Sequence, residues 1–356
     1  MKCAEKLAVL INLLRKFRKL SKLDYIYNLR KYITDNPSDI YYVHELSGLI
    51  AVYLATMTLI NEKRFKVIYD AHEYEIYRNP PYPFFVRLIV RYIENVCVRS
   101  LDARIVTVSN TIADLYAQRF DKSCSVIRNL PSPPRIVDEP MYQCSRLVDL
   151  AAETINAPDP FVLRNHAGQL SAVIVGKIML NRGIEEVLNA LAMDETLRLN
   201  LFLIGEGDMD YMISIKEKVR SLNLEEKVYW IRPVANEQLI PLLSRADFSI
   251  IPIIPLALSY YACAPNKLFE SIASQLPICY NGAEHSVLLR DVDQIVNSLG
   301  VGAPVNFLNR SEAVIGLRNF IENYDKYKIK YEGLVPLYYS DKREQSLYEK
   351  LLDFDE

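Results

Sequence analysis

The chain has 356 residues, about twice the size of a typical domain, which predicts two domains. Its net charge of −2 and 50% hydrophobic content are typical of a globular protein and argue against a nucleic-acid-binding protein. The six cysteines have neither CxxC pairs nor metal-ligand spacing, so we expect them to be reduced thiols that bind no zinc. They are Cys3, Cys97, Cys124, Cys144, Cys263 and Cys279.

A basic amphipathic segment opens the chain. The first 22 residues hold seven Lys or Arg residues against one acid, Glu5, interleaved with leucine and other apolar residues. A helix of this composition can lie on an anionic membrane surface, or it can be a domain helix with a solvated basic face, and we keep both interpretations. The longest apolar run, Leu46 to Ile60, is too short to cross a bilayer comfortably and predicts a buried helix.

Two predicted strands follow, each with a His-Glu pair at its end. The run 39–43 is rich in β-forming residues and leads to His44 and Glu45, and the run 65–69 leads to residues 70–73, Asp-Ala-His-Glu. Alternation of strand, polar tip and helix predicts a parallel α/β sheet, in which ligands collect beyond the carboxyl ends of the strands. A lone histidine is more often an ordinary loop or core residue. The hypothesis of a site therefore depends on the occurrence of a His-Glu pair at the end of both strands.

The same alternation continues through the N-terminal half. The patterns predict a basic amphipathic helix over 84–101, a strand over 104–108, a helix over 111–120 and a strand that begins at 125. Residues 131–164 are rich in proline and charge and have no clear period, which predicts a linker with a surface excursion.

A second series of strands and helices begins with the strand 172–175 and Gly176. Lys177 follows that strand directly, and Arg182 precedes a predicted helix over 184–192. Two cations beyond one strand suit a diphosphate, because two positive charges must converge on its phosphates.

Two further strands end in candidate binding turns. The strand 200–204 leads to the turn Gly205-Glu206-Gly207, and the strand 228–231 leads to Arg232. A GxG sequence alone is a weak indication of a binding site. Another strand is predicted over 246–252.

The next stretch combines a helix N-terminus with charged side chains. Pro265 suits the first turn of a helix predicted over Lys267 to Ser274, and an apolar strand follows over 276–280. The free N–H groups of such a helix end attract an anion. Lys267 can meet a phosphate, and Glu270 can accept hydrogen bonds from the two hydroxyls of a ribose. The plain alternative is a surface helix whose Lys and Glu are solvated.

The segment APNKLFESIASQLPI, residues 264–278, resembles the donor-site segment of the family 4 retaining glycosyltransferases of the GT-B fold. That family shows a pattern close to P-x-K-hydrophobic-x-E-x-hydrophobic-A-x-G-x-P. The strand end YDAHE at 69–73 is similar to the family's "vvYDsHE", and ADFSIIP at 246–252 is similar to its "aDv.l.P". The resemblance covers about residues 37 to 353 and is strongest in 228–280.

The resemblance implies an α/β architecture with two Rossmann-like doubly wound domains facing a cleft, the N-terminal one shortened. The implied units are an acceptor-side domain over 1–165, a nucleotide-sugar-binding domain over 166–335 and a C-terminal helix, 336–356, that crosses back to the first domain. The implied activity is metal-independent transfer of a hexose, with retention, from a UDP- or GDP-linked sugar to a hydroxyl of a glycan or lipid-linked saccharide of the cell envelope or surface polysaccharide. The nucleotide sugar is a substrate, and neither a cofactor nor a metal ion is implied.

Site roles follow from the same resemblance. Lys177 and Arg182 would stabilise the leaving diphosphate, and His72 would face the transferred sugar. The implied donor-binding residues are Gly176, Gly205, Glu206, Arg232, Pro265, Asn266, Lys267, Leu268 and Glu270. The acceptor-side candidates are His44, Glu45 and Glu73.

Three features depart from the family pattern. The order of Lys177 and Arg182 is the reverse of the family's Arg and Lys, no glycine-rich loop precedes His44, and Ala262 stands where a second glutamate is expected. The last two features support an alternative, a non-catalytic subunit that binds a nucleotide sugar or a glycan. A further alternative is another GT-B reaction, such as nucleotide-sugar 2-epimerisation, for which the sequence shows no additional acids and bases.

The N-terminus lacks a signal-peptide pattern. We therefore expect a cytoplasmic protein with no nucleic-acid partner. The basic N-terminal helix would make any contact with the inner face of the cytoplasmic membrane.

Overall fold

The computed structural model describes residues 21–59, 65–78, 81–133, 144–147, 169–254, 256–282, 289–331, 334 and 342–353. The chain divides into two compact units. The first unit comprises residues 1–128, 257–263 and 345–356, and the second comprises 129–256 and 264–344. The basic residues of the first 20 positions lie outside the described residues, so their membrane contact stays a prediction.

The helices, in chain order, are α1 (Ser21–Asp35), α2 (Glu45–Leu59), α3 (Phe84–Ser100), α4 (Asn110–Phe120), α5 (Ile184–Ala192), α6 (Met209–Ser221), α7 (Asn236–Leu243), α8 (Leu258–Tyr261), α9 (Asn266–Ala273), α10 (Arg290–Leu299), α11 (Arg310–Glu322), α12 (Tyr324–Lys328) and α13 (Lys342–Leu352). Short 3₁₀ turns span Glu75–Tyr77 and Ile329–Tyr331. No helix in the described part of the chain is both long enough and apolar enough to cross a membrane.

The first unit is built on a parallel sheet. Its described strands are β1 (Ile40–His44), β2 (Lys66–Ala71), β3 (Arg104–Thr107) and β4 (Cys124–Val126), and they lie side by side in chain order. Side chains of β2 alternate between two apolar clusters: Val67 and Tyr69 pack in one, whereas Ile68 packs with Leu351 of α13 in the other. The alternation explains why this strand is buried on both faces.

A buried charged network joins α3 and α4 in this unit. The carboxylate of Glu94 accepts hydrogen bonds from Tyr69 (2.9 Å) and Tyr116 (2.7 Å), and it pairs with Arg119 at 2.5 Å. Glu94 has no exposed side-chain surface, and Arg119 keeps 6%. Because a buried charge is costly without partners, the helices are tied to β2 through this one carboxylate.

The second unit has a seven-stranded sheet. Its strands are β5 (Cys144–Arg146), β6 (Leu170–Val175), β7 (Leu199–Ile204), β8 (Val228–Ile231), β9 (Phe248–Ile251), β10 (Ile278–Asn281) and β11 (Gly302–Val305). Their order is β11-β10-β9-β6-β7-β8-β5, and all pairs are parallel except β5 with β8. The chain runs outward from β6 through β8 and then returns to β9 on the other side of β6. The strand order therefore reverses between β6 and β9, which is where open α/β sheets bind ligands.

The boundary between the two units differs from the one predicted. We expected the first domain to reach residue 165 with a linker over 131–164, but the second unit already begins at residue 129, and β5 is an edge strand of its sheet. A strand of three residues is too short to show a period-2 pattern, so the sequence could not reveal it. At the other end, α13 belongs largely to the first unit, where Arg104 donates a hydrogen bond to the carbonyl of Leu351 at 3.0 Å.

Candidate functional site

Two glycine turns lie together at the carboxyl edge of the second sheet. Gly176 follows β6 with φ +111°, and Gly205 follows β7 with φ +141°. A Cβ atom on Gly205 would lie 2.2 Å from the carbonyl oxygen of Gly176, a distance no side chain can occupy. Both the positive φ and the close approach require glycine at Gly205. The turns thus bring open backbone to the edge where a ligand approaches.

The loop after Gly176 runs against the end of β9. At Gly183, φ is +80°, and a Cβ atom there would lie 1.8 Å from the carbonyl oxygen of Pro252. This approach holds Arg182, one residue earlier, at the position where the strand order reverses. Arg182 is half-buried, and Lys177 at the start of the loop is exposed. The two predicted cations therefore lie on one loop at the predicted sheet edge.

Helix α9 places a cation over the glycine turns. Pro265 is in extended conformation (φ −71°, ψ 147°) and caps the helix, which begins at Asn266, one residue before the predicted start at Lys267. The Cε and Nζ atoms of Lys267 both lie 3.7 Å from the Cβ position of Gly176. Leu268 is fully buried and anchors this first turn. Lys267 and Gly176, predicted from separate motifs, are therefore close neighbours.

The next turn of α9 borders a cavity of about 430 Å³. The cavity is lined by Asn129, Leu130, Pro131, Ser132, Pro133, Asn236, Glu237, Leu239, Ile240, Asn266 and Glu270. Burial raises the pKa of the Glu270 carboxyl, and the charge of Lys267 acts in the opposite direction. A volume of this size lies in the range of small-ligand sites, about 300–1,000 Å³. Glu270 thus offers carboxylate oxygens to a ligand-sized space.

An indole ring supports the turn after β7. Trp230 on β8 donates its Nε1–H to the carbonyl of Gly205 at 3.0 Å, and the guanidinium of Arg232 lies over the indole ring, 5.5 Å from its centroid. Glu206 serves the turn through its backbone, because its carbonyl accepts the N–H of Ile178 at 2.8 Å. The Arg232 side chain is exposed and adds positive charge near this sheet edge.

The first unit has a different kind of carboxyl edge, where three titratable side chains meet. The Oδ2 atom of Asp70 lies 3.0 Å from Nδ1 of His44 and 3.3 Å from Nε2 of His72. The two imidazole nitrogens are 3.3 Å apart. Among the described residues, this is the one group of three such side chains close enough to share a metal ion.

Strand geometry explains why these three side chains meet. His44 of β1 and Asp70 of β2 are direct partners in the parallel ladder. His72 follows Asp70 by two residues, the spacing that returns a side chain to the same face of an extended chain. We expected the second strand to end at residue 69, whereas β2 extends to Ala71 and holds Asp70 within it. Asp70 was therefore not predicted as a site residue.

Hydrogen bonds set the charge state of this cluster. Burial acts to raise the pKa of Asp70, but hydrogen bonds from His72 and Tyr42 and the charge of His44 outweigh it, so the net pKa is lowered. Tyr42 donates its hydroxyl to Oδ2 of Asp70 at 2.9 Å. The hydrogen bond with Asp70 raises the pKa of His72. Asp70 is therefore a carboxylate held by its neighbours.

Sequence comparison and structural comparison give different outcomes. The sequence matches no protein-family model and has no significant match among curated proteins. Solved structures with the same architecture include Anabaena HepE in complex with UDP-glucose (TM-score 0.65, 15% identity, 94% of this chain and 84% of that one). A glycosyltransferase from Rickettsia africae ESF-5 has a TM-score of 0.63 at 14% identity, covering 95% and 83% of the two chains. Sucrose-phosphate synthase from Thermosynechococcus elongatus has a TM-score of 0.63 at 14% identity, covering 92% and 77%.

The chain has the GT-B fold. The fold class predicted from the sequence is thereby confirmed. Sequence identities of 14–15% support a shared fold but no shared residue roles. The roles of individual residues are therefore argued from the geometry of this chain.

Within the GT-B fold, the residues predicted for the donor lie on neighbouring elements of the second unit. They come from the β6, β7 and β8 ends and from the first two turns of α9. Three residues that line the cavity beside Glu270 were not predicted from the sequence: Asn129, Pro131 and Asn236. The motif gave no signal for them, because they come from an irregular segment and from the start of another helix.

The residues predicted for the acceptor side lie in the first unit, and that role stays a prediction. Glu45 follows His44 with φ 58°, an unusual conformation for a residue with a side chain. The Glu73 carboxylate is 3.6 Å from Nε of Arg78. Ala262, at the position of the expected second glutamate, is fully buried in the first unit, and its carbonyl accepts the hydroxyl of Ser109 at 2.6 Å. No acidic group therefore stands at that position.

Proposed function

We propose that this protein is a glycosyltransferase that moves a sugar from a nucleotide diphosphate sugar to a hydroxyl group of a glycan or lipid-linked acceptor. The observation that carries the proposal is the arrangement of helix α9. Its first turn directs an ammonium group to the glycine turns, and its second turn directs a carboxylate to a cavity. A nucleoside diphosphate has the matching pair of groups, an anionic diphosphate and a ribose diol.

The chemistry of each contact follows from charge and hydrogen bonding. The diphosphate suits the glycine turns, because backbone can approach it closely there and Lys267 supplies positive charge. The ribose hydroxyls are donors, and the Glu270 carboxylate is an acceptor with no proton of its own when ionised. The cavity beside it has room for the nucleoside, with the amides of Asn129 and Asn236 available to a base.

We further propose that transfer proceeds with retention and needs no strong base on the protein. The bond between the anomeric carbon and the diphosphate oxygen breaks, and a bond from the same carbon to the acceptor oxygen forms on the same face. The acceptor proton passes to the leaving diphosphate. Lys177, Arg182 and Lys267 stabilise the charge that grows on the diphosphate, so the protein acts through positioning and electrostatics.

The choice of nucleotide rests on the structural neighbours. HepE was solved with UDP and with UDP-glucose, and another neighbour from Escherichia coli was solved with UDP-2-fluoro glucose. UDP-sugars are therefore the first donors to test, with GDP-sugars second.

A second candidate function is a non-catalytic subunit that binds a nucleotide sugar. The observation in its favour is Ala262, which is buried in the first unit and leaves no acidic group at the position where the family has one. Such a subunit would bind the donor through the same α9 residues and would release no nucleoside diphosphate.

The deciding experiment measures release of nucleoside diphosphate. A thermal-shift panel of UDP-, GDP- and ADP-sugars selects the donor, because a bound ligand raises apparent stability. Extracted cell-envelope glycan or lipid-linked saccharide then serves as acceptor. Arg182→Ala should lower kcat by roughly two orders of magnitude and donor affinity by much less, because charge stabilisation is strongest in the transition state. Tight donor binding without release above the Arg182→Ala background, across a broad acceptor set, would favour the binding subunit.

We also propose that the protein works in the cytoplasm at the membrane surface. Besides the basic N-terminal segment, helix α3 exposes Phe84, Phe85, Leu88 and Tyr92, with Arg91 exposed on the same helix. Aromatic side chains beside cations suit the interface of an anionic bilayer. Sedimentation with anionic liposomes should fall for Phe85→Ser combined with Leu88→Ser, and equal binding by the parent and the variant would contradict this contact.

A further inference from the structure

We propose that His44, Asp70 and His72 bind a divalent transition-metal ion of the zinc class. This site lies wholly in the first unit, and none of its ligands belongs to the nucleotide site proposed in the second. The sequence analysis gave no sign of it, because the two histidines are 28 residues apart and match no metal-binding motif.

The spacing of the three donor atoms fits one metal ion. Nδ1 of His44, Oδ2 of Asp70 and Nε2 of His72 form a triangle with sides of 3.0, 3.3 and 3.3 Å. A zinc ion about 2.0–2.2 Å from each donor needs donor separations of about 3.0–3.5 Å for bond angles between octahedral and tetrahedral. An ion just above the plane of the triangle can therefore lie at bonding distance from all three atoms.

The donor set selects the class of ion. Two imidazole nitrogens and one carboxylate oxygen suit zinc, iron, cobalt or nickel, whereas magnesium and calcium prefer ligands that are all oxygen. Three protein ligands leave at least one coordination position for water or another ligand. The His44 side chain is 63% exposed, so an ion can enter from solvent.

The sheet positions two of the three ligands. His44 and Asp70 are ladder partners on adjacent strands, and the Asp70 side chain is only 9% exposed. The Tyr42 hydroxyl donates to Oδ2 of Asp70 and orients the carboxylate, as partners of metal ligands commonly do. Ligands on strands are placed more accurately than ligands on loops.

Metal binding would change the role of Nε2 of His72. A metal ion would occupy Nε2 of His72, the residue that we predicted to face the transferred sugar. The same nitrogen cannot donate a hydrogen bond to a sugar while it binds a metal ion, so a sugar contact of metal-bound His72 would have to use Nδ1. Metal titration in the absence of nucleotide tests the metal site alone.

The test is calorimetric titration of Zn²⁺ into the chelator-treated full-length chain, with Co²⁺ absorption as a second readout. We expect one ion per chain and no response to Mg²⁺. His44→Ala should weaken Zn²⁺ affinity roughly tenfold or more, the scale seen when metal coordination is disturbed. His44 is exposed, so this variant should keep the parent circular dichroism spectrum. Asp70→Asn, which keeps the side-chain shape, should weaken affinity as well.

The matched control is the double variant His166→Ala with His285→Ala, which removes the other two of the four histidines in the chain and should bind Zn²⁺ like the parent. Absence of Zn²⁺ binding by the parent would overturn the proposal. Parent-like binding by both His44→Ala and Asp70→Asn, or loss of binding in the control, would do the same. Cobalt–thiolate charge-transfer absorption would place the ion on cysteine instead and would also contradict it.

Discussion

The carboxyl edges of the two sheets carry their chemistry in different ways. In the first unit the strands themselves present side chains, and His44, Asp70 and His72 meet because of ladder register. In the second unit the strands end in glycine, and the charged groups arrive from helix α9 and from the loop after β6. One edge thus offers a compact group of donor atoms, and the other offers open backbone beside a lysine and a cavity.

On the two proposals, one architecture would serve two kinds of ligand. A bulky polyanion needs close approach of backbone, which side chains at strand ends would block. A small ion needs several side-chain atoms within about 3.5 Å of one another, which strand register supplies. The single tryptophan, Trp230, lies in the second unit. Its fluorescence therefore reports that unit, whereas circular dichroism reports both.

The largest effect is expected from Arg119→Ala in the first unit. This change leaves the Glu94 carboxylate buried without its cation, and breaking a buried ion pair costs about 3–5 kcal/mol. In urea, the circular dichroism transition should move to lower denaturant while the Trp230 fluorescence transition stays in place. The control is Arg99→Ala, an exposed arginine on α3. Equal shifts of both transitions would show that the units do not unfold separately.

Gly205→Ala should destabilise the second unit instead of the first. The new Cβ atom would lie 2.2 Å from the Gly176 carbonyl oxygen, at φ +141°. The backbone conformation alone costs on the order of 1–3 kcal/mol, and the clash adds to it. The Trp230 transition should shift, because the indole donates a hydrogen bond to the Gly205 carbonyl. Unchanged Trp230 fluorescence together with unchanged UDP affinity would show that this turn has no role in the site.

The sequence predicted the second edge better than the first. The motif at 264–278 is local, so Lys267 and Glu270 could be found through its resemblance to the family pattern, and the helix bounds were wrong by one residue at each end. The first edge depends on register between two strands whose paired residues, such as His44 and Asp70, are far apart in the sequence, and no local pattern encodes that register. Asp70 was missed because the predicted strand stopped one residue short of it. The cavity residue Asn129 was missed because it lies in an irregular segment.

Glu270→Ala tests the role of the cavity. Loss of a hydrogen bond to a charged group costs about 1.5–3 kcal/mol, so UDP affinity should fall by that amount. Calorimetric titration of UDP measures it. Glu217→Ala, an exposed glutamate on α6, is the matched control and should bind like the parent. If a folded Glu270→Ala protein binds UDP with the affinity of the parent, Glu270 is a solvated helix residue with no part in binding.

The smallest effect concerns the end of α9. Gln275 has φ 58°, a conformation that costs a residue with a side chain about 1–2 kcal/mol relative to glycine. Gln275→Gly should therefore stabilise the second unit by up to about 1 kcal/mol, after the greater freedom of glycine in the unfolded chain is subtracted. The Trp230 transition in urea should move to higher denaturant. A shift to lower denaturant would contradict this view of the helix end.

Amide hydrogen exchange of the full chain with and without UDP compares the two edges directly. At a UDP concentration that saturates the protein by calorimetry, we predict slower exchange in residues 176–183, 205–207 and 266–273. Exchange in β1 and β2 of the first unit should not change. Slowing confined to β1 and β2, with none in the second unit, would contradict the assignment of the nucleotide to the glycine turns and helix α9.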